Sequence, residues 1–229
     1  MTGPAKYDFI NIHDHGAEPQ EGFYTIDNIM VHENRYPGET EGIAFSCGAH
    51  PWHIGHDNIE DQMKKVREYV SLPSVIAVGE AGFDRIRGSD RGLQGKAFRY
   101  HVEISEENKK PLFIHCVKAW DELLKCHKEM HPEMDWIIHG FRGKPELATQ
   151  LLAKGFYLSP WVEWAIRPDS ALTLRSIPLE RLFLETDGFD ISIEPVYKVV
   201  AENLEMDMMT LKKSLYNNFY NIFNKSFPV

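Results

Sequence analysis

The chain has 229 residues, 43% of them hydrophobic and 26% charged, a balance that excludes a disordered chain and supplies apolar side chains for a sizeable core. Lys and Arg number 25 against 34 Asp and Glu, and the formal charge of -9 excludes a binder that holds long polyanions on an unspecific basic surface. A metalloenzyme stays open, because bound cations offset acidic ligands. The cysteines, Cys47, Cys116 and Cys126, are odd in number and none stands in a C-x-x-C pair, so no disulfide framework or cysteine zinc site is expected and a reducing compartment fits. The N-terminal residues carry no apolar segment of the secretory type, and the longest apolar runs fall far short of the ~20 residues a membrane helix needs. The expectation is a single cytoplasmic domain over residues 1–229 with no membrane association.

In chain order, eight short apolar runs bounded by turn residues read as strands: Tyr7–His13, Phe23–Val31, Ile43–His50, Ser74–Glu80, Pro111–Cys116, Asp135–Gly140, Phe156–Ser159 and Arg181–Asp187. Several are apolar at consecutive positions, as in Val75-Ile76-Ala77-Val78, which suits strands covered on both faces in a parallel sheet. Helical spacing separates the later runs. Ile59–Val70 repeats Ile59, Met63, Val66 and Val70, and Leu93–Lys109 and Trp120–Met130 behave similarly. Glu146–Lys154 ends at Gly155, a C-cap glycine; Ala165–Arg175 reads as one short helix. Ile193–Phe223 reads as two helices with Leu215, Phe219 and Phe223 on one stripe. Strand alternating with helix predicts an α/β fold, a TIM-like (β/α) barrel. The first third departs from it: no amphipathic helix stands between His15 and Ile43, and the loops around Phe23–Val31 look too short for parallel crossovers. A hairpin or meander is expected there, leaving the barrel irregular or incomplete.

The chemistry lies in what ends the runs. Phe9–Ile12 leads into His13 and His15, Ala77–Gly79 into Glu80, Leu112–Ile114 into His115, Trp136–Ile138 into His139, and Leu182–Thr186 into Asp187. Singly, each has an ordinary explanation: a strand-end histidine commonly serves as a hydrogen-bonding residue, and Asp187-Gly188 as a turn. Jointly they read as a metal site, because a parallel barrel brings strand C-termini to one face, and imidazole and carboxylate are ligands for divalent ions. His13 and His15, two apart, point the same way on a strand, the spacing for chelating one ion.

His13-Asp14-His15, Gly48-Ala49-His50-Pro51, Gly79-Glu80-Ala81-Gly82-Phe83-Asp84, Phe113-Ile114-His115, Ile138-His139-Gly140-Phe141-Arg142-Gly143 and Leu184-Glu185-Thr186-Asp187 resemble the ordered motifs of the TatD family of metal-dependent deoxyribonucleases, among the amidohydrolase-like hydrolases. The resemblance runs from about Tyr7 to Phe223. It implies two divalent ions (Zn, Mn or Mg): His13, His15 and Asp187 on the first, His115 and His139 on the second, Glu80 on both. His50 would be a polar residue near the substrate, or equally a loop histidine ordered by Pro51. The sequence departs from the family between His15 and His50, which is short, and after His115 and Asp187, where Cys116-Val117-Lys118 and Gly188-Phe189 stand.

The expected reaction is phosphodiester hydrolysis by a two-metal-activated water, with Asp187 and Glu80 as catalytic groups and a DNA strand end or small phosphoester as substrate. Lys118, Arg142 and Arg85 are candidate phosphate contacts or, alternatively, solvated surface charges. Trp161 and Trp164 offer a stacking surface for a base or simple rim packing. The alternatives are a hydrolase of the same superfamily acting on another small ester or amide, and a non-catalytic metal-binding protein.

Overall fold

The computed structural model describes residues 8–223. Tyr7, which opens the first strand-like run, and the N-terminal segment read for a secretory signal lie outside the described residues. Seven strands are described, β1 (Phe9–Asp14), β2 (Phe23–Met30), β3 (Ile43–Gly48), β4 (Val75–Asp84), β5 (Leu112–Val117), β6 (Trp136–Phe141) and β7 (Tyr157–Pro160), and their order in the sheet is that of the chain. The β1–β2, β3–β4, β4–β5 and β6–β7 pairings are parallel. The helices are α1 (Ile59–Val70), α2 (Arg91–Asn108), α3 (Trp120–Met130), α4 (Pro145–Leu152), the short α5 (Val162–Ala165) and α6 (Ala171–Leu174), α7 (Ile193–Asn203) and α8 (Met208–Phe223). Among the described residues no helix is long and apolar enough to cross a membrane.

Backbone contacts group the described residues into two compact units, one of residues 8–27, 40–44 and 137–223, the other of residues 28–39 and 45–136. In the first unit the expected hairpin is replaced by a parallel pair, with Phe9 opposite Phe23 and Asn11 opposite Thr25. The connector explains the error. Eight residues separate β1 from β2. Extended, they reach about 26 Å. Returning along a six-residue strand takes about 20 Å. An unwound connector therefore makes the crossover without a helix.

The eighth predicted strand, Arg181–Asp187, is reduced to a single parallel bridge between Leu182 and Leu158. Its backbone is still bonded on both sides: Phe183 N–H donates to Leu158 O at 2.9 Å, and Leu184 O accepts from Ile12 N–H at 3.2 Å. The ladder fails because Thr186 and Asp187 both donate to His13 O, and Asp187 turns the chain with φ +52°. The expected helix Ala165–Arg175 is likewise broken. Pro168 lacks a donor and forces Arg167 into extended backbone, leaving α5, a 3₁₀ turn at Pro168–Ser170, and α6. The tail matches its pattern: Leu215, Phe219 and Phe223 are buried, and Phe219 stacks on Phe223 at 4.6 Å and edges Tyr24 at 5.3 Å. Each such ring contributes about 1.5–3 kcal/mol by leaving water. Tyr197 of α7 donates its hydroxyl to Ile10 O at 2.9 Å, which fastens the tail to β1.

In the second unit β3, β4 and β5 carry α1, α2 and α3. Every residue of β4 is buried, as its unbroken apolar run predicts. The strand continues four residues past its predicted end at Glu80, and its register against β5 slips between Val78 and Ala81. Glycines permit this. A Cβ on Gly79 would stand 2.4 Å from Phe113 O, and one on Gly82 2.0 Å from His115 O. Gly82 itself sits at φ +153°, where an L side chain is strained. A bulge of this kind re-aims side chains, here beside Glu80.

Candidate metal centre

In the first unit the end of β1 and the Asp187 turn are stapled together by side chains. Asn11 Nδ2 donates to Thr186 Oγ1 at 2.6 Å, and Thr186 N–H donates to Asn11 Oδ1 at 3.1 Å. Asp14 Oδ1 accepts from the N–H groups of both His15 and Gly188, at 2.9 and 2.8 Å. Asp187 N–H donates to His13 O at 3.0 Å. These bonds set His13 Nε2 and His15 Nε2 at 3.6 and 3.5 Å from the same Asp187 Oδ1. His139, within β6 two residues before its end, stacks on His13 with ring centroids 4.3 Å apart and places Nδ1 3.9 Å from Asp187 Oδ1 and 3.7 Å from Glu185 Oε1. Glu185 is fully buried and accepts from Gly140 N–H at 2.6 Å; burial pushes its carboxyl above the ordinary range, against the opposing pull of His139.

In the second unit His50, Glu80 and His115 form a buried cluster. Glu80 Oε1 lies 2.7 Å from His115 Nδ1 and 3.2 Å from His50 Nε2, and the two imidazoles are 3.3 Å apart. Asn28 bonds both ends of Glu80: its Oδ1 accepts from Glu80 N–H at 2.9 Å and from Ser46 Oγ at 3.0 Å, and its Nδ2 lies 3.5 Å from Glu80 Oε2. Asp84 backs the other ring nitrogen. Its Oδ2 is 3.3 Å from His115 Nε2 and accepts from Trp52 Nε1 at 2.6 Å, while Oδ1 accepts from the N–H groups of Ile86 and Arg87. Burial alone would raise the Asp84 carboxyl, yet the donors His115, Trp52, Ile86 and Arg87 hold it well below the carboxylate range. Behind His50, buried His101 of α2 accepts from Ala49 N–H at 2.9 Å through Nε2, and its Nδ1 lies 2.7 Å from Ala97 O. Burial lowers its pKa to about 4.

These donor sets fit divalent ions. Donors held at about 2.1 Å around one tetrahedral ion stand about 3.4 Å from one another. The 3.5 and 3.6 Å separations around Asp187, and the 3.2 and 3.3 Å separations around His50, lie close to that edge. The ligand atoms of His13, His15 and Asp187 all lie within 4.8 Å of one another, as do those of His139, Glu185 and Asp187, and those of His50, Glu80 and His115.

Of the predicted cations, Lys118 is exposed just past β5, at φ +52°. Arg142, just past β6, lays its guanidinium over Trp161 at 4.5 Å. Arg85 is already paired, with Asp121 at 2.9 Å and Glu122 at 2.7 Å, so the structure commits it to α3. Trp164 edges Phe141 at 6.4 Å, which is packing. Cys116 and Cys126 are free thiols. The sequence reading gave no role to Asn11, Asn28, Trp52, Asp84, His101 or Glu185. Asp84 carried a signal, four residues after Glu80 and so on the same side of extended chain, whereas Glu185 stands two before Asp187, where the chain turns.

A family model described as TatD related DNase matches residues 23–224, beginning after His13 and His15. An uncharacterized metal-dependent hydrolase of Buchnera aphidicola is 30% identical over 224 residues, covering 88% of this chain and 82% of the relative. The 3'-5' ssDNA/RNA exonuclease TatD of Cronobacter turicensis is 31% identical over 171 residues, 71% of this chain but only 62% of that protein. In fold, the chain is similar to a crystal structure of a TatD family hydrolase from Entamoeba histolytica, with a TM-score of 0.77 at 18% identity over 95% of this chain and 98% of the other. With imidazole–carboxylate clusters at its strand ends and a family match over nearly the whole sequence, the chain belongs to the TatD-related DNase family and is a metal-dependent hydrolase.

Proposed function

We propose that the protein hydrolyses phosphodiester bonds, at the end of a DNA strand or in a small phosphoester, with two divalent cations drawn from Zn, Mn or Mg. His13, His15 and Asp187 would hold one, His115 and His139 the other, with Glu80 serving both, as the family resemblance implies. The observation that carries the reading is the pair of imidazoles on one Asp187 oxygen, at separations suited to a shared ion. Its support outside the chain is a relative whose name is that of an ssDNA/RNA exonuclease. Bound cations lower the pKa of a water and neutralise charge on phosphoryl oxygens.

The chain's own groups divide the remaining work. Asp187 is 22% exposed while His13 is fully buried, so the carboxylate is the group that meets solvent and can take a proton from the attacking water. The Asn11–Thr186 and Asp14–Gly188 bonds keep it aimed as that proton arrives. Lys118 and the free edge of Arg142 would bind phosphoryl oxygens, and His50 would contact the substrate from the Glu80 cluster. The net charge of -9 favours a strand end or small ester over long duplex.

The test is metal-stripped protein reloaded with each ion, assayed on end-labelled single-stranded oligonucleotides, small phosphodiesters and an ester and amide panel. The proposal expects phosphodiester cleavage that disappears in Asp187→Ala and Glu80→Ala. Full rate in either variant, or turnover confined to esters or amides, would overturn it.

A further inference from the structure

We infer that a cleft beside His15 and Asp187 in the first unit is a nucleoside site, in which a base stacks on Phe189 and the scissile phosphate stays outside. This rests on the phosphodiesterase reading and names the group that reading leaves open. The cleft measures about 370 Å³, and its walls include His15, Thr25, Gly188, Phe189, Glu18 and Asp190. Pockets from about 300 Å³ upward take small organic ligands. Phe189 stands two residues past Asp187 and is 38% exposed, an aromatic ring left in water next to the candidate catalytic carboxylate. It is not a loose tip. Its N–H donates to Thr186 O at 3.0 Å and its carbonyl accepts from Ile191 N–H at 2.7 Å. Trp161 meets the ring at 6.0 Å and 66°, and Arg142 covers Trp161 in turn. The row Arg142–Trp161–Phe189 thus buttresses Phe189 while leaving part of it to the cleft.

The lining decides the chemical class. Asp14, Glu18 and Asp190 repel a phosphate and accept hydrogen bonds, so the entering group carries N–H or O–H donors and leaves its phosphate outside. Gln20, Thr25 and Ser192 add neutral partners. A nucleobase with its sugar answers both demands: a flat π-face for Phe189, and amino and hydroxyl donors for the acceptors. Stacking of one base on an aromatic side chain changes affinity by about 5- to 150-fold.

Adenosine, which has no phosphate, separates this inference from the hydrolytic one. Its binding to the full-length, metal-stripped protein is measured by calorimetry for the unmodified chain, Phe189→Ala and Phe189→Tyr, with near-UV circular dichroism as the fold control. Adenosine binding that weakens at least 10-fold in Phe189→Ala and is retained in Phe189→Tyr supports the site. Equal affinity in the unmodified chain and Phe189→Ala, no binding at millimolar adenosine, or a Phe189-dependent preference for spermidine over adenosine overturns it, even if phosphodiesters are cleaved. Phe189-dependent adenosine binding without phosphodiester cleavage leaves the site standing and removes the hydrolytic reading.

Discussion

His101 ties stability to pH through a residue that touches no substrate. It is fully buried, accepts Ala49 N–H on Nε2 and faces Ala97 O with Nδ1, so the folded protein holds it neutral. Burial lowers its pKa from 6.5 to about 4. Between these values the unfolded chain binds a proton that the folded chain refuses, so stability is full above pH 6.5 and falls as pH drops toward 4. The whole window is worth roughly 3 kcal/mol. His101→Gln removes the titration. At pH 7 the variant is expected to be less stable by about 1–3 kcal/mol, because Ala49 N–H and Ala97 O lose well-aligned partners. By pH 4 that deficit should shrink or reverse, since only the unmodified chain loses the linked stability. His32 and His53, whose pKa values burial also lowers, titrate alike in both proteins and cancel in the difference. Urea unfolding at pH 7, 5.5 and 4 measures it. A deficit that stays constant with pH would refute the reasoning. The functional consequence is direct, because His101 fixes the backbone that leads into His50.

Asp84→Asn keeps the volume but replaces the anion behind His115, and should weaken binding of the ion held by the Glu80 cluster by about 10- to 100-fold in calorimetric titration. Trp52→Phe removes one of that carboxylate's donors and should show a smaller loss in the same titration. Asn11→Ala deletes both bonds to Thr186 and should cost about 1–3 kcal/mol in chemical denaturation, with a further loss of metal affinity at His13 and His15. Gly82→Ala drives a methyl into His115 O, and should lower the thermal midpoint by many degrees or prevent folding, read by calorimetry against an exposed Gly38→Ala control whose added methyl meets nothing within 4 Å.

What the sequence made legible is what a period and an endpoint encode. Val75–Val78 and Leu112–Ile114 announce strands covered on both faces, and the structure buries all of them. His13, His15, His139 and Asp187 end such runs and arrive within a few ångströms in one unit, as His50, Glu80 and His115 do in the other. The misreadings come from backbone geometry that side-chain pattern does not encode. Loop length alone suggested a hairpin at β1–β2, whereas a stretched connector suffices for a parallel return. The predicted strand stops at Glu80, yet the glycines at 79 and 82 are what lets β4 run on to Asp84 against β5.

That second misreading also hid the acid behind His115. Read past the end of a strand, Asp84 has no direction; read as strand, it stands opposite Val117, two residues beyond the Gly82–His115 pair. The same reasoning reaches Glu185, buried against Gly140 while Asp187 turns outward into solvent. In the second unit Glu80 meets His115 at Nδ1 and Asp84 backs its other nitrogen, Nε2, whereas in the first unit Glu185 and Asp187 both face Nδ1 of His139. A donor set alone would bind an ion loosely, because free imidazoles rotate. Asp84 supplies orientation to His115, and it was written into the sequence four residues beyond Glu80, the residue that drew attention first.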